Sequence, residues 1–359
     1  MWSAPQDEPP PTLCLLQQQT MFTTEDLNRY VASGDTELVV QVLAWRGEGG
    51  QWVDPRDTEN DAIKSASRRG NAGVVQALLG WRGPEGEWVD PRSNYNEAVR
   101  CASLSGNRGV VRALLEWRGP EGQWVDPRDM FNSSVENASR NGHLGLVQDL
   151  LRWRGPDGEW VNPTDTNHDA VRGASELGHK GVVRALLAWR GPEEQWVDPR
   201  ALWNWSVWAA SRNGHLGLVQ DLLRWRGPGG EWVDPRHMDN DAVQCASKDG
   251  HLEVVRALLE WRGPGGEWVD PRAVGYWAVK AAGMSRHLNV VQALLGWCGP
   301  CGECMDLDVV RILLNSREGS MACDEEEGVR ARWTPLRQAW IGTVARAVFA
   351  RTGSLALHV

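Results

Sequence analysis

A unit of 36 residues is copied along most of this chain, and that constrains its fold more than any other feature. The string WVDPR begins at Trp52, Trp88, Trp124, Trp196, Trp232 and Trp268, and an altered copy, WVNPT, begins at Trp160. Seven residues before each lies a second column: Trp45, Trp81, Trp117, Trp153, Trp189, Trp225 and Trp261, continued by Trp297. The two columns hold 15 of the 22 Trp, so a composition with only 3 Tyr and 3 Phe is mostly one element repeated about eight times. A period between 20 and 50 residues means a solenoid, a propeller or an array. The two ordinary domains that 359 residues would otherwise imply are set aside.

One copy, residues 240–272, reads as helix, turn, helix, hairpin. Asn240 or Asp241 is placed to N-cap a first helix over Ala242 to Lys248, which Gly250 ends. A second helix runs from Leu252 to about Trp261. It puts Leu252, Val255, Leu258 and Leu259 on one side and Glu253, Arg256 and Glu260 on the other. Gly263 is expected to take a left-handed C-cap, and Pro264 cannot continue the helix. The stretch RGPGGE between Trp261 and Trp268 has hairpin-turn chemistry.

On these residues the chain resembles the ankyrin-repeat family, chiefly through GHLEVVRALLE (Gly250 to Glu260) and the Ala-Ser before the turn. It departs from that pattern in its period of 36, with three extra residues in the hairpin. It also has Asp-Ala-Ile-Lys at 61–64 in place of T-P-L-H. The Trp-bearing hairpin is similar to that of repeat proteins of large DNA viruses. The expected fold is an all-α, ankyrin-like solenoid of about eight repeats. Its domains are a disordered Pro/Gln-rich arm (1–25), a repeat array with terminal caps (26–314), and an acidic linker with a C-terminal helix (315–359). In that last helix Leu336, Trp340, Val344, Ala347 and Val348 form one apolar stripe. It either packs on the last repeat or binds a partner.

Variation among the copies separates scaffold from surface. Residues 134–156 and 206–228 differ only at Glu136/Trp208 and Asn137/Ala209. The five residues after each Pro-Arg (or Pro-Thr) vary most. They and the nearby helix position collect the aromatics outside the two columns: Tyr95, Phe131, Trp203, Trp205, Trp208, Tyr276 and Trp277. The resemblance implies that this segment faces a concave groove. Large aromatics on a rigid face are what binding hot spots usually are, so these seven are the candidate partner-binding residues. The competing reading is that the rings fill local gaps between hairpins.

The two Trp columns read as a structural ladder. Equivalent rings pack along the stack, the Arg46 and Arg56 columns lie over the indoles, and the Asp54 column neutralises the arginines. The neighbouring acids and a net charge of −9 argue against nucleic acid. His143, His179, His215, His251 and His287 share one repeat position and are expected to tie loops rather than catalyse.

Cys298, Cys301 and Cys304 imitate a redox motif, yet they sit in a hairpin of the repeat rather than between a strand and a helix. Free thiols in a diverging repeat, or a zinc site completed by Cys323, are the readings left open there. No nucleotide loop or nucleophile elbow is present, and no catalytic, cofactor or metal residue is assigned. The mean hydropathy is −0.44, with no apolar run long enough to span a bilayer. Seven cysteines and a start unlike a secretory signal are expected of the cytoplasm or nucleus. The chain is expected to be a monomeric, non-enzymatic scaffold that binds a protein target. The alternative is an adaptor that captures a substrate with its repeats and recruits ubiquitin-ligase machinery through its C-terminal helix.

Overall fold

The computed structural model describes residues 21–300 together with Gly302 and Met305. The N-terminal arm up to residue 20, the segment 307–314 and the C-terminal helix lie outside the described residues. The chain divides between Asn162 and Pro163 into two units. The first contains α1 (Thr24–Ser33), α2 (Thr36–Ala44), α3 (Asp57–Arg69), α4 (Ala72–Gly80), α5 (Ser93–Leu104), α6 (Arg108–Glu116), α7 (Asp129–Arg140) and α8 (Leu144–Arg152). The second contains α9 (Asp165–Glu176), α10 (Lys180–Ala188), α11 (Ala201–Arg212), α12 (Leu216–Arg224), α13 (His237–Lys248), α14 (Leu252–Glu260), α15 (Ala273–Met284) and α16 (Leu288–Leu295).

Among the described residues the protein is therefore all-α, with eight helix pairs at the period of the sequence. Within each unit, first helices pack on first helices and second helices on second helices, as in α3 on α5 and α14 on α16. The hairpins contribute single antiparallel bridges, such as Arg118 to Trp124 and Arg262 to Trp268.

The core repeats with the sequence. In α14, Val254, Val255, Leu258 and Leu259 are buried, whereas Leu252 is only half-buried. The buried stripe is wider than one helical face because the helix touches both its own first helix and the neighbouring second helices. The α13–α14 turn closes as a Schellman motif. The His251 N–H donates to the Ala246 carbonyl at 2.9 Å, and Gly250 takes φ +81°.

The histidine column ties these turns together. In the second unit the rings of His215, His251 and His287 lie over Gly178, Gly214 and Gly250, so closely that a Cβ on each glycine would meet the imidazole at 2.5 Å. His143 in the first unit and His215 in the second also donate through Nε2 to the Leu104 and Glu176 carbonyls, at 3.1 and 3.0 Å.

The hairpin corrects one expectation. Gly263 does not take a left-handed conformation; Gly266 does, at φ +87°. Gly263 instead sits in close approach: a Cβ there would lie 3.0 Å from the Trp261 ring and 2.3 Å from a Glu267 carboxylate oxygen, so the ring or that side chain would have to shift.

The tryptophan ladder also differs from simple stacking of equivalent rings. Within each unit, hairpin Trp rings pack on the helix-end Trp of the next repeat. Trp52–Trp81 and Trp88–Trp117 in the first unit are at 5.4 Å between centroids, as are Trp232–Trp261 and Trp268–Trp297 in the second. The helix-end members Trp81, Trp117, Trp189, Trp261 and Trp297 are buried. Arg236 lies 5.9 Å from the Trp232 ring and 6.0 Å from that of Trp261, and Asp234 pairs with its guanidinium at 2.8 Å. The Arg46 column takes another role: the Arg46 guanidinium donates to the Leu43 and Trp45 carbonyls and closes the end of α2.

Candidate functional site

The variable window after each hairpin folds in a way that its residue types do not advertise. Its second, third and fourth residues form one left-handed turn. In the second unit Leu202, Trp203 and Asn204 take φ of 48°, 62° and 61°, and Met238, Asp239 and Asn240 take 53°, 57° and 66°. The turns Asn94–Asn96 and Met130–Asn132 do the same in the first unit. For ordinary L-residues such a conformation costs about 1–2 kcal/mol each, so neighbouring structure must hold it.

The holding group is the fourth window residue, an asparagine in most copies. The Asn204 side-chain oxygen accepts from the Asp234 N–H at 3.0 Å, and that of Asn240 from the Asp270 N–H at 3.1 Å. In the first unit Asn96 accepts from Asp126 at 3.1 Å and Asn132 from Asn162 at 2.8 Å. Asparagine is the non-glycine residue that best tolerates this region of backbone space. Its oxygen satisfies a part-buried N–H of the following repeat. Asn240 is thus a clamp between repeats; α13 begins at His237 with Arg236 as its N-cap residue and no side-chain cap bond there, rather than after a cap by Asn240 or Asp241. The signal was present in the sequence as an Asn recurring at 60, 96, 132, 204 and 240 inside an otherwise variable window.

In the fourth window the clamp is His168, whose Nδ1 accepts from the Asp198 N–H at 3.2 Å. Burial holds its pKa below the ordinary histidine value, against the opposing pull of the Asp198 carboxylate. Because the folded-state value is depressed, protons bind the unfolded chain first. Stability is therefore expected to fall as pH drops below about 6.5 and through the lower folded value. Unfolding by denaturant at pH 7.5 and 5.5 checks this, and His168→Asn is expected to remove that part of the pH dependence.

The first two turn residues point to solvent. Tyr95 and Phe131 in the first unit and Trp203 in the second occupy the same position and are 67%, 72% and 67% exposed. Met130, Leu202, Met238 and Val274, at the preceding or equivalent turn position, are exposed as well. Trp277, just past the clamp position, is 41% exposed.

The other candidates are half-buried. Trp205 and Trp208 pack on each other at 4.5 Å between centroids, Arg172 lies over Trp205 and Arg212 over Trp208, and the Trp208 indole donates to Asp241 at 2.6 Å. Tyr276 stands in the clamp position in place of Asn. The second unit thus has a seated cluster, Arg172–Trp205–Trp208–Arg212, and the exposed rings of Trp203 and Trp277 on the same run of first helices. Trp203 also stacks on His237, at 6.5 Å between centroids.

Among the described residues no three His, Cys, Asp or Glu side chains gather as a metal site requires. Burial and the adjacent Asp241 push the Cys245 thiol up to about 11, which keeps it protonated and poorly nucleophilic. Cys298 is disulfide-bonded, which corrects the reading of it as a free thiol. Cys301, Cys304 and Cys323 lie outside the described residues. Among those described, no helix is long and apolar enough to cross a membrane.

No family model matches the chain, and no curated protein does either. Among solved structures it is similar to the ankyrin repeat domain of Bcl-3, with 19% identity, 61% of this chain and 97% of that one covered, and a TM-score of 0.38. It is also similar to the ankyrin repeat domain of human ASB11, with 15% identity, 70% and 95% covered, and a TM-score of 0.27.

Proposed function

We propose that this protein is a non-catalytic interaction scaffold whose second unit binds a protein partner on the face carrying Trp203 and Trp277, with Trp205, Trp208 and Tyr276 seated beside them. Tyr95 and Phe131 give the first unit a surface of the same kind. One observation carries the reading. The chain separates its aromatics into a buried ladder and a set of exposed rings, and the exposed set stands where the repeats vary. A ring displayed on a clamped turn loses little freedom on binding, so a few such rings supply most of an affinity. The adaptor reading turns on residues 315–359, and no described residue favours it.

The test is affinity capture with Trp203→Ala plus Trp277→Ala. Loss of these rings is expected to weaken capture by about 30-fold, the size of a 2 kcal/mol hot spot, while helical content and unfolding midpoint stay near wild type. Unchanged capture by a folded variant rejects the assignment.

A further inference from the structure

One constellation of first-helix positions occurs in both units, four repeats apart, and only in the first is its arginine matched by a carboxylate. There it is Asp61, Lys64, Arg68, Glu97 and Cys101. The Lys64 ammonium pairs with Asp61 at 2.7 Å and Glu97 at 3.8 Å; Arg68 pairs with Glu97 at 3.9 Å and donates to the Cys101 thiol at 3.4 Å. In the second unit the same positions hold Trp205, Trp208, Arg212, Asp241 and Cys245, so two rings replace an acid and a base. Asp241 now accepts from the Trp208 indole at 2.6 Å and from the Cys245 thiol at 3.5 Å. Arg212 is exposed, lies 5.4 Å from the Trp208 ring centroid, and has no carboxylate within 4.0 Å among the described residues.

The duplicated block isolates the change. Arg140 and Arg212 are equivalent residues of two stretches that differ at only two positions, and one of these lies four residues before the arginine: Glu136 in the first unit, Trp208 in the second. Glutamate four residues ahead of a basic residue favours an ion pair along the helix. Trp in its place removes that carboxylate and gives the guanidinium a ring to lie on. Stacking orients the planar group but leaves its N–H donors for another acceptor.

The face is not basic as a whole. Its other cations are Arg172, Lys248 and Lys280, and its acids are Asp169, Glu176, Asp239, Asp241 and Asp249. Arg172 is paired with Asp169, and Asp241 is engaged by the indole. Lys248, exposed, holds the Arg212 position one repeat on, next to the exposed Asp249; the Lys280 ammonium stands beside the turn at Gly275. The charge of Arg212 is thus placed at one spot, against the seated rings. It lies seven residues after Trp205, about 10 Å along α11, a distance that an extended chain covers in about three residues.

We propose that Arg212 is the specificity-determining residue of this face: it takes an Asp or Glu carboxylate of a protein segment whose large apolar side chain, three or four residues away, packs on the exposed rings. A planar guanidinium held on a ring is suited to bidentate capture of a carboxylate. The proposal rests on the reading of this face as the binding face.

The test pans random dodecapeptides displayed on phage against the full chain, its Arg212→Gln variant and, as the matched loss of one charge, Arg140→Gln. Peptides recovered on the wild-type chain and on Arg140→Gln are expected to carry Asp or Glu three or four residues from a large apolar residue well above its frequency in the unselected library. On Arg212→Gln that enrichment should vanish. In a synthetic copy of a recovered peptide, changing the carboxylate to its amide should weaken binding to the wild-type chain by about tenfold, and to Arg212→Gln by less than about twofold. The wild-type arm stands whether or not the variant folds. No selectable peptide, no acid enrichment on the wild-type chain, or equal effects of Arg212→Gln and Arg140→Gln overturn the proposal. Peptides that need Trp203 and Trp277 but carry no acid leave the scaffold reading standing and remove this one. Acid-bearing peptides that need Arg212 but bind the Trp203→Ala/Trp277→Ala chain unchanged do the reverse.

Discussion

Trp261→Ala is expected to cost about 3–5 kcal/mol and to lower the unfolding midpoint by roughly 10 °C or more. The reason lies in what the indole touches. The ring is buried at the end of α14, packs on Trp232 at 5.4 Å, and closes one side of the Arg236 guanidinium. Truncation removes a large apolar body from a site that cannot collapse, because Trp232 belongs to a hairpin fixed by its own bridge to Arg226. In a repeat stack stability is shared mainly between neighbours, so the loss should concentrate nearby. Hydrogen exchange should show lost protection in α13 to α16 first. A change confined to ±0.5 kcal/mol would mean that the ladder is decorative.

Gly250→Val is expected to cost about 3 kcal/mol or more, from two separable causes. The backbone at φ +81° is strained for any side chain and worst for a β-branched one. The new Cβ would also lie 2.5 Å from the His287 imidazole, so the ring must leave the turn it covers. A double-mutant cycle with His287→Ala separates the two. If the contact is as close as the geometry gives, Gly250→Val costs less in the His287→Ala background, by about 1 kcal/mol or more. Equal costs in both backgrounds would assign the whole effect to φ.

The repeats were legible because period and periodicity are local. Helix pairs, turn glycines and the loop-tying histidines follow from spacing alone, and the structure has them where the sequence puts them. Three features were not legible, for one physical reason: each is decided by a side-chain contact that spacing does not encode, two of them with the adjacent repeat. Spacing cannot say that Trp232 leans forward onto Trp261 instead of stacking with its own equivalents. Gly263 looks like a capping glycine, but what favours it is the Trp261 ring and the Glu267 side chain lying across it. Leu202 and Trp203 have no intrinsic taste for a left-handed turn. The bond from the Asp234 N–H to Asn204 holds them there, and only the recurring Asn hints at it. The candidate residues divide along the same line. Trp203 and Trp277 are exposed, while Trp205 and Trp208 are engaged with Arg172, Arg212 and Asp241, where repeat packing has absorbed part of their surface.

The most direct test sets the two tryptophan classes against each other in one series: Trp261→Ala and Trp203→Ala/Trp277→Ala, each measured for unfolding midpoint and for partner capture. A midpoint loss of roughly 10 °C for the first and near-native stability with weakened capture for the second is the expected result. If the ladder variant folds as well as wild type, or the exposed-ring variant unfolds early and captures normally once folded, the division into scaffold and recognition surface is wrong.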